Sequence, residues 1–331
     1  MPVPGFDRLR SLVRRALPPS VRRRLAPLLH RLPAAHPASG SAQARRYWES
    51  EPDAALRNQW TSNAIVGEVV YRRMSGGRSS AHWIWWLLDD YFRDRKFARA
   101  LSPGCGVGDH EIILMKSGKI GHLDAFDFSA AALDQARAKA RAENLDINFY
   151  QDDLESFSLE GRSPYDLILC SGAVHHVREL ERFFDVVRNS LSPEGVFVFN
   201  EYAGACYNVY PPAQLEMVNR LLRALAPRYR AAPKLAASTI EAKIAADPSE
   251  SVRSALVLPF ARNYFDFEFC HPFGGAIMHP LYPLLNNELF STPTPDAESI
   301  LRLLLEIEQI LLETGVLPTD FVLCVCRPKK R

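Results

Sequence analysis

Three groups of residues carry chemistry by type and spacing. The first is the run Leu101-Ser102-Pro103-Gly104-Cys105-Gly106-Val107-Gly108, with an apolar segment Phe97–Leu101 ahead and a helix-like segment from Asp109 behind. Glycines on alternate positions let the chain turn sharply, and a ligand can then approach the main chain beside a partly positive helix N-terminus. The second is Asp127, 19 positions beyond Gly108 at the end of the next apolar segment, where a carboxylate is suited to ribose hydroxyls. The third comprises His175, His176 and Glu201, which follow two further strand-like segments and are suited to taking a proton. The dinucleotide fingerprint wants glycine at the sixth position of the loop, and Asp109 stands there instead.

On these residues the chain resembles the class I S-adenosylmethionine-dependent methyltransferases. The family's first motif is an acid, any residue, then Gly-x-Gly-x-Gly; here the acidic position is Ser102 and the glycines are Gly104, Gly106 and Gly108. Asp127-Phe128-Ser129 resembles the ribose-binding end of the second strand, and Asp152-Asp153-Leu154 the segment beside the adenine. Tyr165 to Ser171 resembles the fourth strand, and Leu191-Ser192-Pro193-Glu194-Gly195 the turn before the fifth. The match extends over residues 95 to 205. It implies S-adenosyl-L-methionine as cofactor, held by Ser102, Gly104, Cys105, Gly106, Gly108, Asp127, Phe128, Asp152, Asp153, Leu154 and Ser171. Ser102 replaces the carboxylate that helps seat the methionine ammonium.

Methyl transfer is an in-line displacement in which alignment of the reactants provides much of the acceleration. A hydroxyl acceptor must also lose a proton, so His175, His176 and Glu201 are candidate catalytic residues; a histidine pair that merely shapes the pocket is the plainer alternative. The segment from Tyr202 to Gly275 mixes tyrosines with Arg228 and Arg230 and reads as an acceptor-recognising cap. Glu201-Tyr202-x-Gly204 and Asp247-Pro248-Ser249-Glu250 resemble a methyltransferase subgroup met beside bacterial polysaccharide enzymes, which implies a sugar, glycolipid or other small-molecule acceptor.

The elements that must position these groups alternate. Strands are predicted near 98–102, 122–126, 147–150, 165–171 and 196–201, with helices near 108–117, 130–143, 178–191 and 213–226. The fold class is therefore α/β: a Rossmann-like, seven-stranded, mostly parallel sheet with helices on both faces, its last strand (320–326) antiparallel as the family implies. Asp247-Pro248-Ser249-Glu250 has the marks of a helix start, and that helix is predicted to run to about Leu258. A sixth strand is predicted over 264–270 and an apolar helix over 298–314. The domain runs over residues 47–331, with a core at 95–205, a cap insertion at 202–263 and the last strands and helix at 264–331. Trp83, Trp85 and Trp86 read as a packing face, with a lid over the substrate as the alternative.

Of 331 residues, 47% are hydrophobic, which is sufficient for a sizeable core. Six cysteines show neither a Cys-x-x-Cys pair nor zinc-type Cys/His spacing, so no metal site is expected. Cys170, Cys324 and Cys326 lie in apolar runs and are expected to be buried thiols in a reducing, cytoplasmic setting. Charge is uneven: residues 1–46 hold ten arginines and one acid, Asp7, for +9, which leaves −7 on the rest. With Phe6, Leu9, Leu12, Val13 and Leu17 at helical spacing, residues 1–32 make a helical basic extension suited to an anionic membrane surface, peripheral at the inner membrane face. The bland alternative is a solvated arm.

Two other activities bear weighing. A short-chain nicotinamide enzyme needs Tyr-x-x-x-Lys, and none of the eleven tyrosines has lysine four residues on. An RNA methyltransferase using the basic arm is a second alternative. Ser171-Gly172-Ala173-Val174 stands where base-amino methyltransferases carry Asn/Asp-Pro-Pro-aromatic, which argues against amino groups of bases and leaves ribose or other RNA chemistry open. An inactive methyltransferase-like binding protein is the third alternative, motivated by Ser102.

Overall fold

The strand–helix alternation predicted from the sequence is realised in the computed structural model, which describes residues 59–292 and 294–330. The basic extension at 1–46 lies outside the described residues. α1 (Ala64–Met74) and α2 (Trp83–Trp86), which widens into a π turn over Leu87–Tyr91, precede the sheet. Then come β1 (Phe97–Pro103), α3 (Asp109–Lys116), β2 (Ile120–Asp127), α4 (Ala130–Ala142) and β3 (Asn148–Gln151). β4 (Tyr165–Ser171), α5 (Leu180–Ser190) and β5 (Leu191–Tyr202) complete the alternating half. Helices α6 (Pro212–Ala224), α7 (Ile240–Ala246) and α8 (Val257–Tyr264) lead to β6 (Phe265–Gly274). Helices α9 (Met278–Leu281), α10 (Asn287–Ser291) and α11 (Pro295–Glu313) lead to β7 (Phe321–Pro328).

The strand order is β3-β2-β1-β4-β5-β7-β6. Strands β1 to β5 pair in parallel, while β7 runs antiparallel to both β5 and β6. From β1 the chain winds outward to β2 and β3, then returns to the other side at β4. That reversal opens a crevice at the carboxyl ends of β1 and β4, where ligands of such sheets bind.

Period-two alternation assigns each strand residue to one of two cores. On β4, Leu167 and Leu169 join the core under α1, α2, α6 and α11, whereas Ile168 and Cys170 join the core under α5 and α8. Leu133, Ala136 and Ala140 of α4 pack separately on Ala125 and Phe149. Trp83 and Trp86 are 2% and 1% exposed and belong to the first core, so the packing reading holds for both. Cys170, Cys324 and Cys326 are buried thiols, as expected.

Two local expectations are corrected. Leu191 to Gly195 is not a separate turn; Leu191 already pairs with Tyr165, and the register slips once before Leu167 meets Val196. The Asp247–Glu250 segment does not open a helix to Leu258. Asp247 closes α7, residues 248–253 form turns, and a 3-10 turn at Ser254–Leu256 leads into α8. The first capping bond does form, Ser249 N to Asp247 Oδ1 at 2.8 Å. The helix is stopped by Ser251, whose φ of 52° is left-handed and whose carbonyl accepts from Tyr207 N at 2.7 Å.

Candidate active site

The glycine loop joins β1 to α3 with Gly104 at φ +68° and Gly106 at φ +54°. A Cβ on Gly104 would lie 2.6 Å from Ala173 Cβ, so this residue lets the loop abut the segment that follows β4. A Cβ on Gly106 would meet nothing within 4 Å, so the main chain there faces open space. Gly106 N donates to Asp127 Oδ2 at 2.9 Å, and Ser129 N donates to Asp127 Oδ1 at 2.9 Å. Asp127 is thus buried and fixed at the end of β2, and burial pushes its pKa up. Each of its oxygens has lone-pair capacity beyond those two bonds.

The other residues of the cofactor set sit at or just past the carboxyl ends of β1, β2, β3 and β4. Asp152 N donates to Asp127 O at 3.2 Å, and Leu154 Cδ1 lies 3.4 Å from where a Gly104 Cβ would be. Asp153 N is held by Asp152 Oδ1, while half-buried Phe128 offers its carbonyl to Gln151 Nε2. Ser171 Oγ accepts from Asn200 Nδ2 at 3.2 Å, and Cys105 is a half-buried thiol whose pKa burial raises.

Ser102 is where sequence reasoning stopped short. Its hydroxyl donates to Glu111 Oε1 at 2.5 Å, so α3 returns a carboxylate to the place where the motif lacks one. Glu111 is 1% exposed, and its Oε2 has no hydrogen-bond partner among the described residues. Burial lifts its pKa to about 7, against the Ser102 hydrogen bond, with Asp109 and Asp127 adding to the rise. A buried carboxylate oxygen without a donor is costly. It fits the ammonium of S-adenosyl-L-methionine, and the open main chain at Gly106 fits the body of the same ligand. A signal existed: Glu111 shares the buried face of α3 with Leu114, an odd place for an acid.

On the other wall, Glu201 at the end of β5 reaches under the β4 turn. Its Oε1 accepts from Ala173 N and Val174 N, each at 2.7 Å, and its Oε2 accepts from His175 Nδ1 at 2.8 Å. With 1% exposure, Glu201 is a support behind His175 rather than a group in the crevice. Burial alone would depress His175; the Glu201 carboxylate outweighs it and the net shift is upward. His176, its ring centroid 4.2 Å away, is shifted down by burial and by His175.

Glu250 completes the group and was missed, because its sequence context reads as a helix cap. Its oxygens lie 3.9 Å from His175 Nε2 and 3.7 Å from His176 Nε2. Burial alone would raise Glu250; the two histidines outweigh it and hold the carboxyl at about 2. Asn208 Nδ2 and Ser251 Oγ anchor Glu250 Oε1 at 3.0 and 2.7 Å. Both anchors, and Tyr207 beside them, have left-handed backbone with φ between 52° and 57°, strain held by the surrounding packing. Tyr202, Tyr210 and His279 form an aromatic flank, with burial lowering His279 to about 4.

Residues 100–195 match the family model described as a methyltransferase domain. Malonyl-[acyl-carrier protein] O-methyltransferase of Bacillus anthracis is 25% identical over 125 residues, 38% of this chain and 45% of the relative. The ubiquinone biosynthesis O-methyltransferase of Rickettsia bellii is 24% identical over 113 residues, 34% and 45% of the two chains. The chain thus spans less than half the length of these curated relatives. Among solved structures, an S-adenosylmethionine-dependent methyltransferase from Mesorhizobium loti aligns over 70% of this chain and 91% of its own, at 19% identity and a TM-score of 0.42.

Proposed function

We propose that this protein, whose residues 100–195 form a class I S-adenosylmethionine-dependent methyltransferase domain, O-methylates a small-molecule acceptor of sugar or glycolipid character. The observation that carries the reading is the contact between the two walls. Gly104 abuts Ala173, so the loop suited to the cofactor lies directly against the turn that bears His175 and His176. When bound, S-adenosyl-L-methionine supplies an electrophilic methyl group on a sulfonium.

The chain's own residues do the rest. Asp127 and the Gly106 main chain hold the ribose end, Glu111 with Ser102 receives the ammonium, and Asp152 to Leu154 flank the adenine. His175, His176 and Glu250 form the wall that an acceptor hydroxyl meets, where its proton must leave. Glu201 acts through His175 by fixing the ring and the Ala173–His175 main chain. The tyrosines Tyr202 and Tyr210 offer ring faces of the kind that sugars stack on. Residues 1–32, basic and amphipathic in sequence, would bring the enzyme to an anionic membrane surface where lipid-linked glycans reside.

The test has two arms. Calorimetric titration of the purified chain with S-adenosyl-L-methionine should give one site per chain, and no binding overturns the cofactor assignment. Labelled methyl transfer into fractions of a cell extract should mark a polar, sugar-containing fraction; label in RNA or protein instead rejects the acceptor class.

A further inference from the structure

We infer that His175, His176 and Glu250 are the ligands of a divalent metal ion at the acceptor wall. One ligand atom from each lies within 4.8 Å of the other two. The separations of 3.7 and 3.9 Å between the imidazole Nε2 atoms and the Glu250 oxygens exceed a hydrogen bond. They are close to the spacing of neighbouring ligands around a small metal, roughly 3.3–3.6 Å for tetrahedral bonds of about 2.0–2.2 Å.

The tautomers point the same way. His175 Nδ1 donates to Glu201 Oε2 at 2.8 Å, which leaves Nε2 as the coordinating nitrogen of the neutral ring. Ser249 Oγ gives its proton to Asp247 Oδ1 at 2.7 Å, so at 3.3 Å it accepts from His176 Nδ1. Both rings therefore present Nε2 toward Glu250, and each has its outer nitrogen tied to an oxygen. Histidine ligands of metals are oriented in this way by carboxylates and other oxygen acceptors behind them.

Side-chain exposures of 12%, 18% and 31% for His175, His176 and Glu250 leave an entry path from the crevice. Two imidazoles and one carboxylate are the donor set of an open zinc-type site, with further positions for water or an acceptor oxygen. Mixed nitrogen and oxygen donors disfavour magnesium and calcium. The placement at the acceptor wall rests on the methyltransferase reading, whereas the coordination itself does not.

The full chain is stripped with a chelator and titrated with Zn²⁺ by calorimetry and with Co²⁺ by visible absorption. One ion per chain is expected, with the intense cobalt bands of a low-coordinate site, and no uptake of Mg²⁺ at the same concentration. Glu250→Gln and His176→Ala should each weaken Zn²⁺ at least about 100-fold. S-adenosyl-L-methionine affinity, measured in parallel on every sample, reports folding and the cofactor reading separately. Wild-type protein that binds S-adenosyl-L-methionine but takes up no Zn²⁺ overturns the inference, and the cluster then holds protons alone. Equal Zn²⁺ affinity in wild type and both variants also overturns it. If the variants do not fold, the wild-type cobalt spectrum decides: octahedral, oxygen-type bands reject the site.

Discussion

Ser102 Oγ and Glu111 Oε1 are 2.5 Å apart, and this bond places a second carboxylate oxygen, Oε2, without a partner among the described residues at the end of β1. In the cofactor reading proposed above, the residue nine positions along the chain would stand in for the acid that the glycine-loop motif lacks. Glu111→Gln should weaken S-adenosyl-L-methionine binding by about 10- to 100-fold, the range for one lost charged hydrogen bond of about 1.5–3 kcal/mol. Ser102→Ala should cost less, because the carboxylate remains. Calorimetry on the three proteins checks the order, and an unchanged affinity in Glu111→Gln removes this residue from the cofactor site.

The pH dependence follows from the same group. Glu111 has a folded pKa of about 7, above that of an unfolded glutamate, so the folded chain holds its proton more tightly. Its contribution to ligand-free stability is therefore full below the unfolded pKa and is lost as pH rises to about 7. Cofactor binding has the opposite sign, because an ammonium prefers the ionised carboxylate. Affinity should rise from about pH 6 to about 7.5, then fall as the ligand's own amino group deprotonates near 8. In Glu111→Gln the rise should vanish.

Asp127→Ala removes the acceptor for Gly106 N and Ser129 N as well as the partner proposed for the ribose. The expected result is at least a tenfold loss of cofactor affinity together with about 1–3 kcal/mol of stability. Gly106→Val should lose affinity through a side chain in the ligand's space and through strain at φ +54°. Denaturant titration beside calorimetry separates the two effects, and normal binding in both variants rejects the site.

Glu201→Gln and His175→Ala probe the acceptor wall. Both should lower the single-turnover rate by about 10²-fold or more while leaving S-adenosyl-L-methionine affinity within a few-fold. Glu201→Gln should also loosen the Ala173–His175 turn, visible as faster amide exchange there, since its carboxylate holds that main chain. Wild-type rates in both variants place the chemistry elsewhere in the cap.

Vesicle co-sedimentation tests the basic arm. Full-length protein should pellet with anionic vesicles and release with salt, while a form lacking residues 1–46 should not, each basic residue near the surface contributing about 1 kcal/mol. Equal pelleting of both forms counts against a membrane role.

What the sequence determined is the set of features with local causes. Alternation of apolar runs, glycines at positions needing left-handed backbone and an acid at the end of the second strand suffice to place seven strands along the chain and to nominate the loop proposed for the cofactor. Periodicity is a property of neighbouring residues and is therefore legible without coordinates. The tertiary structure decided the pairings that span the chain. Glu111, only nine residues from Ser102, is the exception: its bond to Ser102 is local, and a buried acid on α3 is legible in the sequence. Glu250 stands about 75 residues from the histidines it faces, in a segment whose local sequence promises a helix cap. Ser251 has a left-handed backbone and its carbonyl accepts from Tyr207 N, a bond to a distant segment that the local capping pattern does not encode. Such convergence is set by packing energy summed over distant elements, so no window of sequence contains it.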